Sequence, residues 1–416
     1  MKSMSSSLFK LIVPLLVALS CSDNQNDFIR TSGTSLVTGD GAAFEIRGTN
    51  LGNWLNPEGY LFKFPKSANC PRDIDSGLCQ LVGPGYMERF WQQFRNNYIT
   101  EKDIEFIAST GATTVRLPFH YKLFTSETYL GSSDENLGFE LVDNVVSWCG
   151  KYGLKLILDM HDCPGGQTGD NIDDSFGYPW LFVDEASQTK FINIWSRIAR
   201  HYCNEPVILA YDLMNEPIAH YFPDKDSLNS RLQPLMKKTV AGIRKYDKNH
   251  IVILAGAQWN TNFKVYDDFS FDDNLMYSCH IYKCPPSKGS VKGFVNFMEK
   301  SGKPMFMGET GENTDEWVRD FRKVLEESSI GWTFWTYKRL DTDRSFASIA
   351  LPEGWELISN YLESDRSTFA AIRENRPDQQ VCRNILDKYL EAVLFDNCKI
   401  NASYINALGL KYDNNE

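Results

Sequence analysis

From about residue 42 onward the chain alternates short, continuous apolar runs with longer stretches in which apolar residues recur every three or four positions. The runs fall at 44–50, 113–118, 154–161, 207–215, 251–256, 275–282, 304–309 and 331–337. They are short and rich in β-branched and large aliphatic residues, the pattern of strands buried on both faces. The intervening segments, roughly 86–109, 139–152, 187–203, 227–246, 290–301 and 315–328, carry helical spacing, and a last helical region runs over about 366–396. Strands alternating with helices predict a parallel sheet covered by helices. Eight such units predict an α/β fold of the (β/α)8 TIM-barrel type, one domain with enlarged βα loops. An open doubly wound sheet would need a glycine-rich phosphate turn after its first strand, and Gly48-Thr49-Asn50-Leu51-Gly52-Asn53 does not supply G-x-G-x-x-G.

In such a barrel the chemistry belongs at the C-terminal ends of the strands. Polar residues gather there along the chain: Asn50 and Asn53, Arg116, His161 and Asp162, Asn215 and Glu216, Gln258 and Trp259, His280 and Tyr282, Glu309, and Trp335. Two of them are carboxylates at the ends of the fourth and seventh runs, Glu216 and Glu309. A carboxylate at a strand end can simply cap the next helix, but a pair at one mouth suits glycosidic cleavage, which needs a proton donor and a nucleophile or base.

Composition narrows this picture. A length of 416 residues suggests two or three domains at about 150 residues each, whereas the strand pattern assigns the length to loops. The formal net charge of -11 argues against a phosphate-backbone partner. Aromatic residues make up 13% of the chain, enough for both core and a stacking surface. There is no Cys-x-x-Cys, His-Glu-x-x-His, G-x-S-x-G or phosphate-loop motif, and Asp170-Asn171-Ile172-Asp173-Asp174 lacks the ligand spacing of an EF-hand. Neither a metal nor a cofactor is therefore expected.

The N-terminus has lysines at 2 and 10, an apolar run over 11–19 and Ala18-Leu19-Ser20-Cys21. This resembles a bacterial lipoprotein signal, which implies cleavage after residue 20, a lipid on Cys21, and an exported, envelope-anchored or secreted protein. Residues 21–41 then read as a tether, 42–400 as the catalytic barrel and 401–416 as a tail. The lipid anchor is the only membrane contact expected, and a monomer is the default state. Nine further cysteines are an odd number, and Cys70/Cys79 and Cys382/Cys398 are the pairs suggested by proximity.

Six segments together carry a resemblance to a known family. Val115-Arg116-Leu117-Pro118, Leu158-Asp159-Met160-His161, Met214-Asn215-Glu216-Pro217, His280-Ile281-Tyr282, Met307-Gly308-Glu309 and Gly331-Trp332-Thr333-Phe334-Trp335 resemble, in order, glycoside hydrolase family 5, the cellulase-type retaining enzymes. Gly48-Thr49-Asn50-Leu51-Gly52-Asn53-Trp54-Leu55 and the segment from His161 to Gly169 resemble its exo-β-1,3-glucanase branch, although the insertion 56–84 has no counterpart there. The resemblance implies a β-glucan or β-glucoside substrate, with Glu216 as acid/base and Glu309 as nucleophile. It also implies Arg116 and Tyr282 as partners of Glu309, Asn215 on a sugar hydroxyl, His161 and His280 as orienting groups, and Trp335 as the floor under the sugar, with Trp54, Trp180 and Trp259 as further subsite candidates. The alternatives are an endo-acting β-1,4-glucanase, mannanase or other β-glycan hydrolase with the same chemistry, and a glycan-binding protein without catalysis.

Overall fold

The computed structural model describes residues 27–170 and 172–412. The signal segment and the lipid site at Cys21 lie outside the described residues. Three short strands, β1 (Arg30–Ser32), β2 (Ser35–Val37) and β3 (Ala43–Phe44), form an antiparallel sheet. The next eight are β4 (Arg47–Asn50), β5 (Thr114–His120), β6 (Lys155–Asp162), β7 (Ile208–Asp212), β8 (Ile251–Ala255), β9 (Leu275–His280), β10 (Met305–Glu309) and β11 (Gly331–Phe334). They pair in parallel and in chain order, and β11 closes onto β4, so the predicted eight-stranded barrel is the observed one.

The alternation of side chains along each strand explains both its apolar character and its polar end. On β6, Leu156, Leu158 and Met160 face outward into the core shared with the helices, while Ile157 joins the apolar cluster inside the lower barrel. Continuing by twos on the inner face brings Asp159 and then His161. β9 repeats this, with Leu275, Tyr277 and Cys279 outside and Met276 inside, below Ser278 and His280. The barrel interior is thus apolar at the bottom and polar at the top. Ile29 and Leu36 of the β1–β2 hairpin pack into the lower cluster. Residues 30–37, expected within a tether, are therefore the plug of the barrel floor.

The helical stretches are realised with breaks where local chemistry competes. The region 86–109 is two helices, α2 (Pro84–Tyr98) and α3 (Glu101–Ser109), preceded by α1 (Pro71–Val82). The break follows from a capping box in which Thr100 and Asp103 satisfy each other's backbone amides. Thr100→Ala is expected to lower stability by about 1 kcal/mol, measurable by denaturant unfolding. The region 366–396 divides likewise into Phe369–Asn375 and Gln379–Ala392, after a helix at Trp355–Glu363.

The insertion 56–84 is a folded cover. Two 3-10 turns, Gly59–Phe62 and Lys66–Ala68, lead into α1. Phe62 and Phe64 stack on each other at 5.2 Å, Phe64 lies on Trp355 at 5.4 Å, and Phe62 reaches Tyr389 at 5.6 Å. Much of the aromatic surplus holds the insertion against the C-terminal helices. Within the expected tail, the helix Ala402–Ala407 buries Tyr404 and Ile405 and packs on the helix Asp315–Glu327.

The cysteine expectation is corrected. Cys70, Cys79, Cys382 and Cys398 are all free thiols. Cys70 caps α1 and Cys79 lies inside the same helix, about 13 Å further along its axis at 1.5 Å per residue. That span is beyond a disulfide's Cα reach of about 7 Å. Cys398 instead turns its thiol to the carbonyls of Ala392 and Val393. No described helix is long and apolar enough to cross a membrane.

Candidate active site

The strand ends converge on one buried guanidinium. Arg116, fully buried on β5, donates from Nε to Asp212 (2.9 Å), from Nη1 to Glu309 (2.7 Å) and Asn50 (3.0 Å), and from Nη2 to Asn215 (3.0 Å), with Asp159 also 3.0 Å away. One cation therefore serves three carboxylates from three strands. Burial pushes Asp159 and Asp212 upward, to about 7 and about 8, and Arg116 opposes this.

Glu309, at the end of β10, has a donor on each oxygen: Arg116 on Oε1 and the Tyr282 hydroxyl on Oε2 at 3.0 Å. Glu216 follows β7 in a left-handed backbone conformation (φ 45°), and its Oε1 lies 2.9 Å from His280 Nδ1. Burial raises its carboxyl to about 7, with His161 and Arg116 as opposing influences. A carboxylate oxygen of each glutamate and a ring nitrogen of His280 all fall within 4.8 Å of one another.

Both histidines are buried and neutral. Desolvation pushes His161 down to about 4 and His280 to about 3. His161 Nδ1 donates to Asp159 at 2.7 Å, which leaves Nε2 to accept from Asn215 Nδ2 at 3.3 Å. Asn215 is thereby held from both sides beside Glu216. The His161 ring stacks parallel to Trp335 (5.5 Å, 10°). Trp335 in turn lies against Gly52, where a Cβ would come within 2.6 Å of the indole, and its Nε1 donates to Tyr60 at 2.7 Å. A second glycine is required at 308, where a Cβ would sit 2.3 Å from Ser278 Oγ and 2.7 Å from His280 Nε2. Gly308→Ala is expected to displace His280 and lower kcat by at least tenfold with little change in secondary structure, read by kinetics and circular dichroism.

The structure thus brings together Arg116, His161, Asn215, Glu216, His280, Tyr282, Glu309 and Trp335. Trp259 is not among them, and its ring meets His220 at 4.8 Å instead. It lies on a turn after β8 in which Gln258, Trp259 and Asn260 all have positive φ (51°, 56° and 56°), a conformation costing about 1–2 kcal/mol per residue. The Gln258 amide holds the turn, donating to Asn229 Oδ1 (2.9 Å) and accepting from Asn262 (2.7 Å). Trp54 is corrected: it is 2% exposed and donates to the Arg95 carbonyl at 2.8 Å, so it packs the insertion's core and offers no face to a sugar. Trp180 is 45% exposed on the outer rim.

Three acidic residues were missing from the expectation. Asp159 and Asp212 had a legible signal, each being a charge inside an otherwise apolar strand that demands a buried partner. Glu58 is the third and comes from the insertion. It is 6% exposed, its Oε1 has no hydrogen-bond partner and lies 3.8 Å from His161 Nε2. Burial, together with Glu309, Glu312 and Glu216, raises its carboxyl well above the ordinary range.

Among the described residues, two groups have donors close enough for a metal: Glu216, His280 and Glu309, and, deeper in the loops, His120, Asp162 and Asp174. In the second, His120 Nδ1 accepts the Lys122 amide at 3.1 Å, so its Nε2 carries the proton shared toward Asp162 and Asp174. Lys122 and the Arg72 backbone also contact Asp174. This group therefore works as an internal lock between the insertion and the loop after β6.

The family model described as "Cellulase (glycosyl hydrolase family 5)" matches residues 80–341. A beta-xylosidase of Phanerodontia chrysosporium is 26% identical over 75% of this chain and 71% of its own. Endoglucanase C of Acetivibrio thermocellus is 28% identical over 61% of this chain and 88% of its own. A probable glucan 1,3-beta-glucosidase A of Aspergillus fumigatus is 28% identical over 65% and 66%. The model spans all six motifs and both glutamates. The chain belongs to glycosyl hydrolase family 5 and is a glycoside hydrolase.

Proposed function

We propose that the protein is a retaining β-glycosidase that removes glucosyl units from β-glucan or related β-glucosides, with exo-β-1,3-glucanase-like preference. The observation carrying this proposal is the approach of a Glu216 oxygen to a Glu309 oxygen within 4.8 Å. Retaining enzymes hold their carboxyl groups about 5–5.5 Å apart, whereas inverting enzymes leave about 6.5–9.5 Å for a water. In the first step a Glu309 oxygen attacks the anomeric carbon while Glu216 gives its proton to the glycosidic oxygen. The carbon–oxygen bond breaks and the leaving alcohol departs. In the second step Glu216 takes a proton from water, whose oxygen displaces Glu309 from the same carbon. Arg116 and Tyr282 orient Glu309 and balance its charge. Asn215 stands where a 2-hydroxyl would meet it, and Trp335, 2% exposed with its ring stacked on His161, backs the site beside it.

Exo action is supported by the wall that the insertion builds. Tyr60 meets Trp335, Lys63 pairs with Asp341, Arg339 pairs with Glu312, and Glu58 turns inward among the catalytic carboxylates. A pocket closed there accepts the end of a chain. The experiment is digestion of laminarin, barley glucan, cellulose, mannan and an aryl β-glucoside with the products sized. Monosaccharide released from laminarin is expected. Early internal fragments from cellulose or mannan would replace exo action by the endo alternative, which the similarity to endoglucanase C favours.

Glu216 as the acid fixes the sign of the pH dependence. Its raised carboxyl is active while protonated, so kcat is expected to fall as pH rises through about 7. In Glu216→Gln that limb should vanish. Cleavage of glucosides with poor leaving groups should drop by about 10²–10⁴-fold, while an activated dinitrophenyl glucoside loses far less at glycosylation. We also propose export through the N-terminal signal with lipid attached at Cys21, checked by labelling cells with a fatty-acid analogue and comparing Cys21→Ala.

A further inference from the structure

We propose that Gln167 and Thr168, on the loop after β6, are positioning residues for Glu216. They hold the backbone on either side of it so that its carboxyl stands where the glycosidic oxygen must be protonated. This rests on Glu216 being the acid.

Glu216 sits in a backbone conformation that it would not adopt unaided. Its φ is 45°, and that of Ile218, two residues on, is 58°. Left-handed backbone is unfavourable for a residue with a side chain, and it persists only where the surroundings over-determine it. Relaxation to negative φ would swing the carboxyl away from His280, whose Nδ1 lies 2.9 Å from Glu216 Oε1.

The group that holds this segment is one buried dipeptide. Gln167 is fully buried, and its Nε2 donates to the carbonyls of His161 (2.7 Å) and Asn215 (2.8 Å) while its Oε1 accepts the Cys163 amide (2.9 Å). Thr168, equally buried, donates from Oγ1 to the Glu216 carbonyl at 2.7 Å. The main chain of the same pair continues the clamp, with Ile218 N donating to Gln167 O (2.9 Å) and Ala219 N to Thr168 O (3.0 Å). Residues 215, 216, 218 and 219 are thus each bonded to the pair, and Pro217 between them has no N–H to offer. Buried amides and hydroxyls are costly unless bonded, and here every bond of the two side chains goes to backbone at the strand ends.

The pair is anchored from its far side. Asp173 Oδ2 accepts the amides of Thr168 (2.7 Å) and Gly169 (3.2 Å). Its neighbour Asp174 is the carboxylate held by His120, Lys122 and the Arg72 amide. The Asn215 side chain is fixed separately by Arg116 and His161. Removing the Thr168 hydroxyl therefore loosens the acid and leaves the Asn215 side chain fastened.

The test uses two glycosides of one sugar: the disaccharide that the wild type cleaves fastest, and the dinitrophenyl glycoside. A sugar leaving group must be protonated as it departs, and dinitrophenolate need not be. Thr168→Val keeps the shape of the side chain and removes the hydroxyl. Since a misplacement of about 1 Å can cost on the order of 10²-fold, its kcat/KM on the disaccharide is expected to fall by about tenfold or more. On the dinitrophenyl glycoside, where acid catalysis contributes little, kcat/KM should change by less than about threefold. Thr168→Ser keeps the hydroxyl and should restore the disaccharide rate. Gln167→Met should show the same selectivity, with circular dichroism reporting its fold. A merely structural role would slow both substrates alike, so equal losses on the two, or no loss on either, in Thr168→Val would overturn the clamp. Glu216→Gln separates the two claims. If it discriminates between the substrates and Thr168→Val does not, the clamp alone falls; if Glu216→Gln itself does not discriminate, the acid assignment falls and the clamp with it.

Discussion

Glu309→Ala is expected to lower kcat by on the order of 10⁴–10⁶-fold, the scale of losing a residue that bonds to the reacting centre. Oligosaccharide affinity should change little, because Trp335, His161 and Asn215 keep their places. The vacated space also permits a stereochemical check. With an activated β-glucoside, azide entering where Glu309 stood attacks once, so the product is the α-glucosyl azide. In Glu216→Ala, azide attacks the covalent intermediate instead, the second of two displacements, and the product is the β-azide. Exchange of these two outcomes would reverse the assignment of the two glutamates. Full activity of Glu309→Ala would remove Glu309 from the reaction.

Arg116→Met is expected to have the largest effect on stability. Among the described residues Arg116 is the cation that Asp159, Asp212 and Glu309 share, all at 3.0 Å or less. Breaking a buried pair by removing one partner costs about 3–5 kcal/mol, and here three carboxylates lose their counter-charge. The pH dependence has a definite sign. Burial raises Asp159 and Asp212 in the folded state to about 7 and about 8 even with the guanidinium present. A carboxyl raised above its unfolded value near 4 favours the fold at low pH, and that contribution is lost as pH rises through the folded value. Without Arg116 the folded values climb further, so the deficit of the variant should widen between about pH 5 and pH 8. Arg116→Lys should recover only part of the loss, since an ammonium cannot reproduce the fork that spans three strands. Denaturant unfolding at both pH values checks this, and a deficit below 1 kcal/mol, or one independent of pH, would contradict it.

The barrel was legible because its rule is local and repeated. Each strand is a short apolar run, each polar end falls at the mouth, and β4 to β11 differ from the expected runs mainly at their ends. The placement of Glu216 and Glu309 at the barrel mouth was legible for the same reason, since both belong to motifs anchored on strands. What escaped was set by contacts far apart in sequence. Glu58 reaches the pocket only because the insertion folds back, and the ring pairs that fold it join Phe64 to Trp355 and Phe62 to Tyr389, 291 and 327 positions away. Trp54 was a subsite candidate, yet its indole is committed to the carbonyl of Arg95. Cys70 and Cys79 looked like a loop pair until α1 separated them along a helix axis. The hairpin at 30–37 and the helix at 402–407 resembled a tether and a tail because short elements at chain ends have too few residues to show periodicity.

The central claim is a double displacement through Glu309, and one measurement addresses it directly. The enzyme is incubated with a 2-deoxy-2-fluoro-β-glucoside carrying a dinitrophenyl leaving group, and the intact and protease-digested protein is weighed by mass spectrometry. The account predicts a stoichiometric covalent fluoroglucosyl adduct on the peptide containing Glu309, lost again on prolonged incubation with a glucoside acceptor. Attachment to any other residue, or rapid hydrolysis of an unmodified β-glucoside to an α-configured first product with no adduct, would contradict it.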